Sequence, residues 1–95
     1  MDDHAYWQGI ADGLRALRDG LPDIRGEAGS PDGLVHATVG GRGELLALDL
    51  DPRIYRLGDS RAVAHTITEA VRAAGVAAAG RVGELTTRLL PGDPA

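Results

Sequence analysis

In the last third of the chain Val63, Ile67, Val71, Ala74, Ala78, Val82, Leu85 and Leu89 recur at spacings of 4, 4, 3, 4, 4, 3 and 4. An eleven-residue apolar repeat of this kind runs nearly straight along an α-helix. It predicts one helix from Ser60 to Leu90, closed by Pro91 because a residue before proline avoids the helical region. Such a helix is about 46 Å long at 1.5 Å per residue, whereas a compact monomer of this length has a diameter of only about 32 Å. The rod overshoots one globule. Gly75, Gly80 and Gly83 oppose it, costing together about 3 kcal/mol in a helix interior, and a break near Gly80 is the rival reading. The stripe keeps its phase across the glycines, which favours continuity. Ala74 and Ala78, with Gly75 beside them, would let a second helix approach closely.

Upstream, Gly33 to Leu50 reads as two short strands folded back on each other. Val35, Ala37 and Val39 alternate with Leu34, His36 and Thr38, and Leu46, Leu48 and Leu50 alternate with Leu45, Ala47 and Asp49. A period of two fits strands with one covered face. Gly40-Gly41-Arg42-Gly43 supplies residues that tolerate the positive φ of tight hairpin turns. Ser30-Pro31-Asp32-Gly33 is turn chemistry leading into this hairpin. Ile24 to Gly29 alternates weakly and is expected as an edge strand, and Asp51-Pro52-Arg53 stops the last strand. Ile54, Tyr55 and Leu57 form an apolar knot at the end of the core, and Asp59 or Ser60 caps the long helix. At the N-terminus Asp2 and Asp3 can cap a first helix in which Trp7, Ile10, Leu14, Leu17 and Leu21 make an apolar stripe. Gly20 and Pro22 end it. Gly9 and Gly13 weaken it, so it depends on packing. Trp7 and Tyr6 are expected to cover the sheet or a dimer seam. Residues 1–91 make a single domain, with 92–95 a frayed tail.

With no Phe, one Trp and 95 residues, the core is thin, aliphatic and rich in alanine, and association with a second copy would add burial. The absence of cysteine excludes disulfides, thiolate metal sites and a cysteine nucleophile. No apolar run reaches a membrane span, and Met-Asp-Asp-His lacks the basic start of a signal peptide, so a cytoplasmic location is expected. The net charge of −4 is unevenly spread. Residues 1 to 51 carry four Arg against ten carboxylates, whereas residues 52 to 90 carry six Arg against Asp59, Glu69 and Glu84.

Arg61 and Arg72, eleven apart, share a face of the last helix opposite its stripe, with His65 near them; Arg81 and Arg88, seven apart, form a second exposed row. Arg15 and Arg18 lie three apart on the first helix. Phosphate contact is one reading of these rows. A solvated face, with Glu69 and Glu84 as ion-pair partners, is the other. Aromatic residues do not interleave with them, which argues against stacking on single strands. Gly40 to Gly43 lacks the Lys-Ser/Thr of a P-loop and a following helix, so it is a turn. His4, His36 and His65 have no common ligand spacing, and no metal or cofactor is expected. Asp49 and Asp51 read as turn and edge charges rather than a catalytic pair. Nothing points to catalysis or a small-molecule substrate.

The order helix, three strands, long helix, with Gly33-Leu-Val-His-Ala-Thr-Val-Gly-Gly-Arg-Gly-Glu-Leu45, then Leu48-Asp-Leu-Asp-Pro52, then an alanine-rich helix, resembles the YbaB/EbfC family of bacterial nucleoid-associated proteins. The match is best from about Ser30 to Leu85, and the arginine-for-lysine usage looks like actinobacterial members. The resemblance implies an α+β fold, an α-β-β-β-α protomer with a three-stranded antiparallel sheet and a long C-terminal helix. It implies a homodimer with projecting helical arms, joined through sheet and helices; Val35, Val39, Leu48, Leu50, Ile67, Val71, Ala74 and Ala78 are the expected seam. It further implies binding of double-stranded DNA in the nucleoid, with little sequence preference and no catalysis, for which Arg15, Arg18, Arg61, Arg72, Arg81 and Arg88 are the candidates. Two features depart from the family. The first helix looks short, and its half of the chain is acidic. These motivate the alternative of a dimeric protein-interaction adaptor that has lost DNA affinity.

Overall fold

The structure, a computed structural model, describes residues 3–92. The proposed cap Asp2 and the tail beyond Gly92 lie outside the described residues. The elements run α1 (Asp3–Gly20), a 3-10 turn (Leu21–Asp23), β1 (Arg25–Gly29), β2 (Val35–Gly40), β3 (Leu45–Leu50), a second 3-10 segment (Pro52–Leu57) and α2 (Ser60–Leu89). The strands form one antiparallel sheet in the order β1-β2-β3. This is the α-β-β-β-α arrangement expected from the sequence.

The period of two decides what the sheet buries. Val35, Ala37 and Val39 of β2 are almost wholly inaccessible, together with Ile54, Ala70, Ala74 and Ala78. Ala37 pairs with Ala28 on one side and Leu48 on the other, so these share the covered face. α2 lies across that face over β1 and β2. It approaches closely because the residues at the crossing are the smallest available: a Cβ on Gly26 would collide with the backbone of Ala74 and Ala78. The alanines that the sequence assigned to a second helix thus meet the chain's own β1. Val35 and Val39 are likewise filled from within the protomer, so four of the eight expected seam residues have their apolar character explained without a second copy.

β3 departs from simple alternation. Thr38 pairs with Ala47 but Val39 pairs with Leu45, leaving Leu46 as the extra residue of a bulge. Leu45 and Leu46 are both about half exposed, at 50% and 45%. The turn before them needs only one left-handed residue, Gly43 at φ 82°, while the Gly43 amide donates to the Gly40 carbonyl at 3.0 Å.

Local hydrogen bonds fix the joints. Val35 N–H donates to Ser30 Oγ (3.0 Å), the Ser30 hydroxyl donates to Asp32 (2.5 Å), and Leu34 N–H also donates to Asp32 (3.0 Å). The Ser30 hydroxyl, and after it Leu34 N–H, hold the Asp32 carboxyl below its ordinary pKa. Asp51 accepts from the backbone and guanidinium of Arg53 and has a lowered pKa for the same reason. Asp59 caps α2 by accepting from Arg61 N–H at 2.9 Å. Of the expected apolar knot, Ile54 is fully buried but Tyr55 is exposed; the Leu57 side chain lies outside the described part.

The rod is continuous: α2 keeps its helical course through Gly75, Gly80 and Gly83 for 30 residues. Its stripe serves two partners in succession. Ala74 and Ala78 face the sheet, and farther along the Leu85 side chain meets Gly20 of α1. α1 runs antiparallel to the distal part of α2, its glycines turned inward. Gly13 is buried, because a Cβ there would strike the Leu89 carbonyl and the Leu90 side chain. Using that side for packing turns part of the predicted α1 stripe outward, and Trp7 and Leu14 are exposed at 64% and 52%. Trp7 makes an edge-on contact with Tyr6 and does not cover the sheet of its own protomer. The paired helices project as an arm, and the molecule measures 66 × 23 × 16 Å.

Candidate nucleic-acid interface

The candidate arginines fall into three settings. On α1, Arg15 pairs with Asp12, and Arg18 pairs with Asp19 at 3.1 Å. Near the middle of α2, Arg72 is held by Glu69 at 3.0 Å, one turn back. Exposed pairs of this type contribute only about 0.3–0.5 kcal/mol. Each nevertheless sets a carboxylate against the guanidinium, and for these three residues the solvated, paired reading describes what is present. Arg61 is exposed at the start of α2 and, among the described residues, makes no ion pair.

Arg81 and Arg88 are different. They lie on the line of α2 that carries Ala70, respectively eleven and eighteen residues farther on. At Ala70 that line is buried, whereas by Arg81 and Arg88 it is open to solvent. The helix therefore exchanges a small apolar residue for a long cation where it leaves the sheet. Glu84, expected as their partner, makes no ion pair with either.

Arg25, the first residue of β1, joins them. Its Nη1 donates to the carbonyls of Pro22 (2.7 Å) and Ile24 (3.0 Å), which orients the side chain without neutralising it. Arg25, Arg81 and Arg88, with Asp23, Glu84, Gly20, Ile24 and Leu85, line a cleft of about 420 Å³ at the root of the arm. Sequence spacing singled out Arg81 and Arg88 and missed Arg25, because it stands on another element more than fifty residues away. The one available signal was its position beside the proline turn that ends α1.

The remaining charges point elsewhere. His36 on the uncovered face of the sheet stands 3.8 Å from Glu27 and opposite Asp49. His65 lies with Asp32, Thr66 and Glu69 beside the Ser30–Gly33 turn. Among the described residues no group of three or more His, Cys, Asp or Glu is placed to hold a metal ion. No helix there is long and apolar enough to cross a membrane.

A comparison with solved structures finds the same fold in the uncharacterized protein HP0035 from Helicobacter pylori, at a TM-score of 0.68. That match has 23% sequence identity and covers 88% of this chain and 98% of the other. No curated protein matches the sequence. The family comparison is direct, since residues 5–93 match the YbaB/EbfC DNA-binding family, from α1 through the sheet to the end of α2. The chain therefore belongs to the YbaB/EbfC DNA-binding family, a nucleoid-associated family.

Proposed function

We propose that the protein binds double-stranded DNA as a homodimer, with little preference for sequence, and acts in the nucleoid. The observation that carries this reading is a set of exposed arginines on α2, unpaired among the described residues, in a member of a DNA-binding family. Guanidinium contacts to phosphate position a duplex without reading its bases. With a net charge of −4 per protomer, attraction must come from local clusters, whose field extends only about 8 Å at physiological salt.

The dimer is supported by what α2 leaves open. It crosses β1 and β2 but not β3, so Leu48 and Leu50 stay half-buried beside exposed Leu45 and Leu46. Val63, Ile67 and Val71 pack partly against the same core. β3 is also a sheet edge, and its unsatisfied backbone groups invite pairing. Of the expected seam residues, Leu48, Leu50, Ile67 and Val71 are the ones available to a second copy.

A fluorescence titration of a labelled duplex at about 50 mM salt tests the function, with affinity expected to fall steeply as salt rises. No binding by micromolar dimer under those conditions refutes it. The adaptor reading is favoured by the carboxylates that neutralise Arg15, Arg18, Arg53 and Arg72. Partners captured from lysate that survive nuclease treatment would support it over DNA binding.

A further inference from the structure

We infer that the cleft formed by Arg25, Arg81 and Arg88 is the principal phosphate-binding site of the protein and takes the sugar-phosphate backbone of duplex DNA. This inference rests on the DNA-binding reading and adds to it a location, a residue absent from the long helix, and a pair of carboxylates that limit affinity.

Three observations carry it. The first is convergence: guanidinium groups from β1 and from two successive positions on one line of α2 line a single open cleft of about 420 Å³. Elsewhere the candidate arginines stand alone or face a carboxylate. The second is pre-organisation. Arg25 is held through Nη1 by the Pro22 and Ile24 carbonyls, so its Nε and Nη2 donors remain available while its side chain has already lost much of its freedom. A planar fork fixed in advance loses less entropy when it engages a phosphate. The third is reach. Arg81 and Arg88 are two turns apart, roughly 10 Å along the helix, so the cleft spans more than one phosphate rather than closing around a single ion. Its open form and exposed rim suit a continuous backbone.

The cleft also contains Asp23 and Glu84, neither of them in an ion pair with these arginines. They subtract from the field that an incoming phosphate meets. The balance of three cations against two anions makes this a weak, salt-sensitive site whose strength a single neutralisation changes in either direction.

The test is a salt-dependent titration of a labelled mixed-sequence duplex with the full-length protein and four variants whose altered side chains are exposed. Arg25→Gln and Arg81→Gln are each expected to lower affinity about tenfold and to reduce the salt slope by about 1. Arg53→Gln, on the segment after β3 where Asp51 already holds the guanidinium, is expected to change affinity by less than about twofold. Glu84→Gln is expected to raise affinity about two- to threefold, a gain that a purely structural role would not produce. If the unaltered protein binds duplex and the Arg25 and Arg81 variants bind equally well, the site is overturned while the DNA reading stands. If the unaltered protein does not bind duplex, both fall. A second arm follows the arginine Nε–Hε signals by NMR with duplex, inorganic phosphate or polyglutamate. Movement of the cleft signals with duplex supports the site. Movement with phosphate or polyglutamate but not duplex overturns it.

Discussion

Gly26 sets the distance between sheet and helix. It is buried, and any side chain there meets the backbone of Ala74 and Ala78, which cannot move away without lifting α2 from β1. Gly26→Val is therefore expected to lower stability by about 1–3 kcal/mol or more in urea unfolding, and neutral behaviour would mean that α2 does not lie on β1 here. Asp32 acts through charge. Its pKa is held below the ordinary value by the Ser30 hydroxyl and then by Leu34 N–H. A depressed folded pKa means the unfolded chain binds the proton more readily. The contribution of Asp32 is thus complete above about pH 4 and is lost as pH falls through its folded value. The stability gap between wild type and Asp32→Ala should be constant near neutrality and close in acid, as read by chemical denaturation across pH. The Ser30-Pro31-Asp32-Gly33 turn was legible because its residues act on their immediate neighbours. Gly26 and Arg25 were not, because the role of each comes from a helix about fifty residues farther along the chain.

Among the elements, α2 was the most legible, since one apolar stripe in constant phase specifies both its length and its inward face. What the stripe did not disclose was its division between the sheet and α1. A run of Ala74 and Ala78 reads the same whether the neighbour is a second helix or a glycine on a strand. α1 shows the complementary ambiguity: its glycines looked like weak points, yet Gly13 is the buried contact and Trp7 and Leu14 face outward. The bulge at Leu46 escaped notice because Leu45 and Leu46 are both apolar and either satisfies an alternating pattern. Gly80 and Gly83 remain conformationally costly, and a Cβ on either would meet nothing within 4 Å. Gly80→Ala and Gly83→Ala are each expected to stabilise the protein by up to about 1 kcal/mol, measurable as a higher thermal midpoint. A loss of stability would indicate that another chain approaches the helix at these positions.

For the whole molecule, the question is how so elongated a chain stays folded. A radius of gyration of 18.6 Å far exceeds that of a compact chain of 95 residues, about 12 Å. Its core is small, and Ile54 and Val35 are the largest side chains fully enclosed. Association through the open side of β3 would supply the missing burial. Leu46→Glu, on a half-exposed residue of that strand, should leave the helical circular-dichroism signal intact yet halve the mass measured by light scattering. It should also make stability independent of concentration, unlike that of a dimer. An unchanged mass for this variant would place the seam elsewhere. The overall fold was readable from element order and length, while the cleft at the arm root was not, since it exists only where three separate segments converge.

Pro91 lies against Gly9, so the close of α2 reaches the first half of α1 far from the sheet. Bulk introduced at position 9 will therefore be felt at position 91, although more than eighty residues of chain separate them.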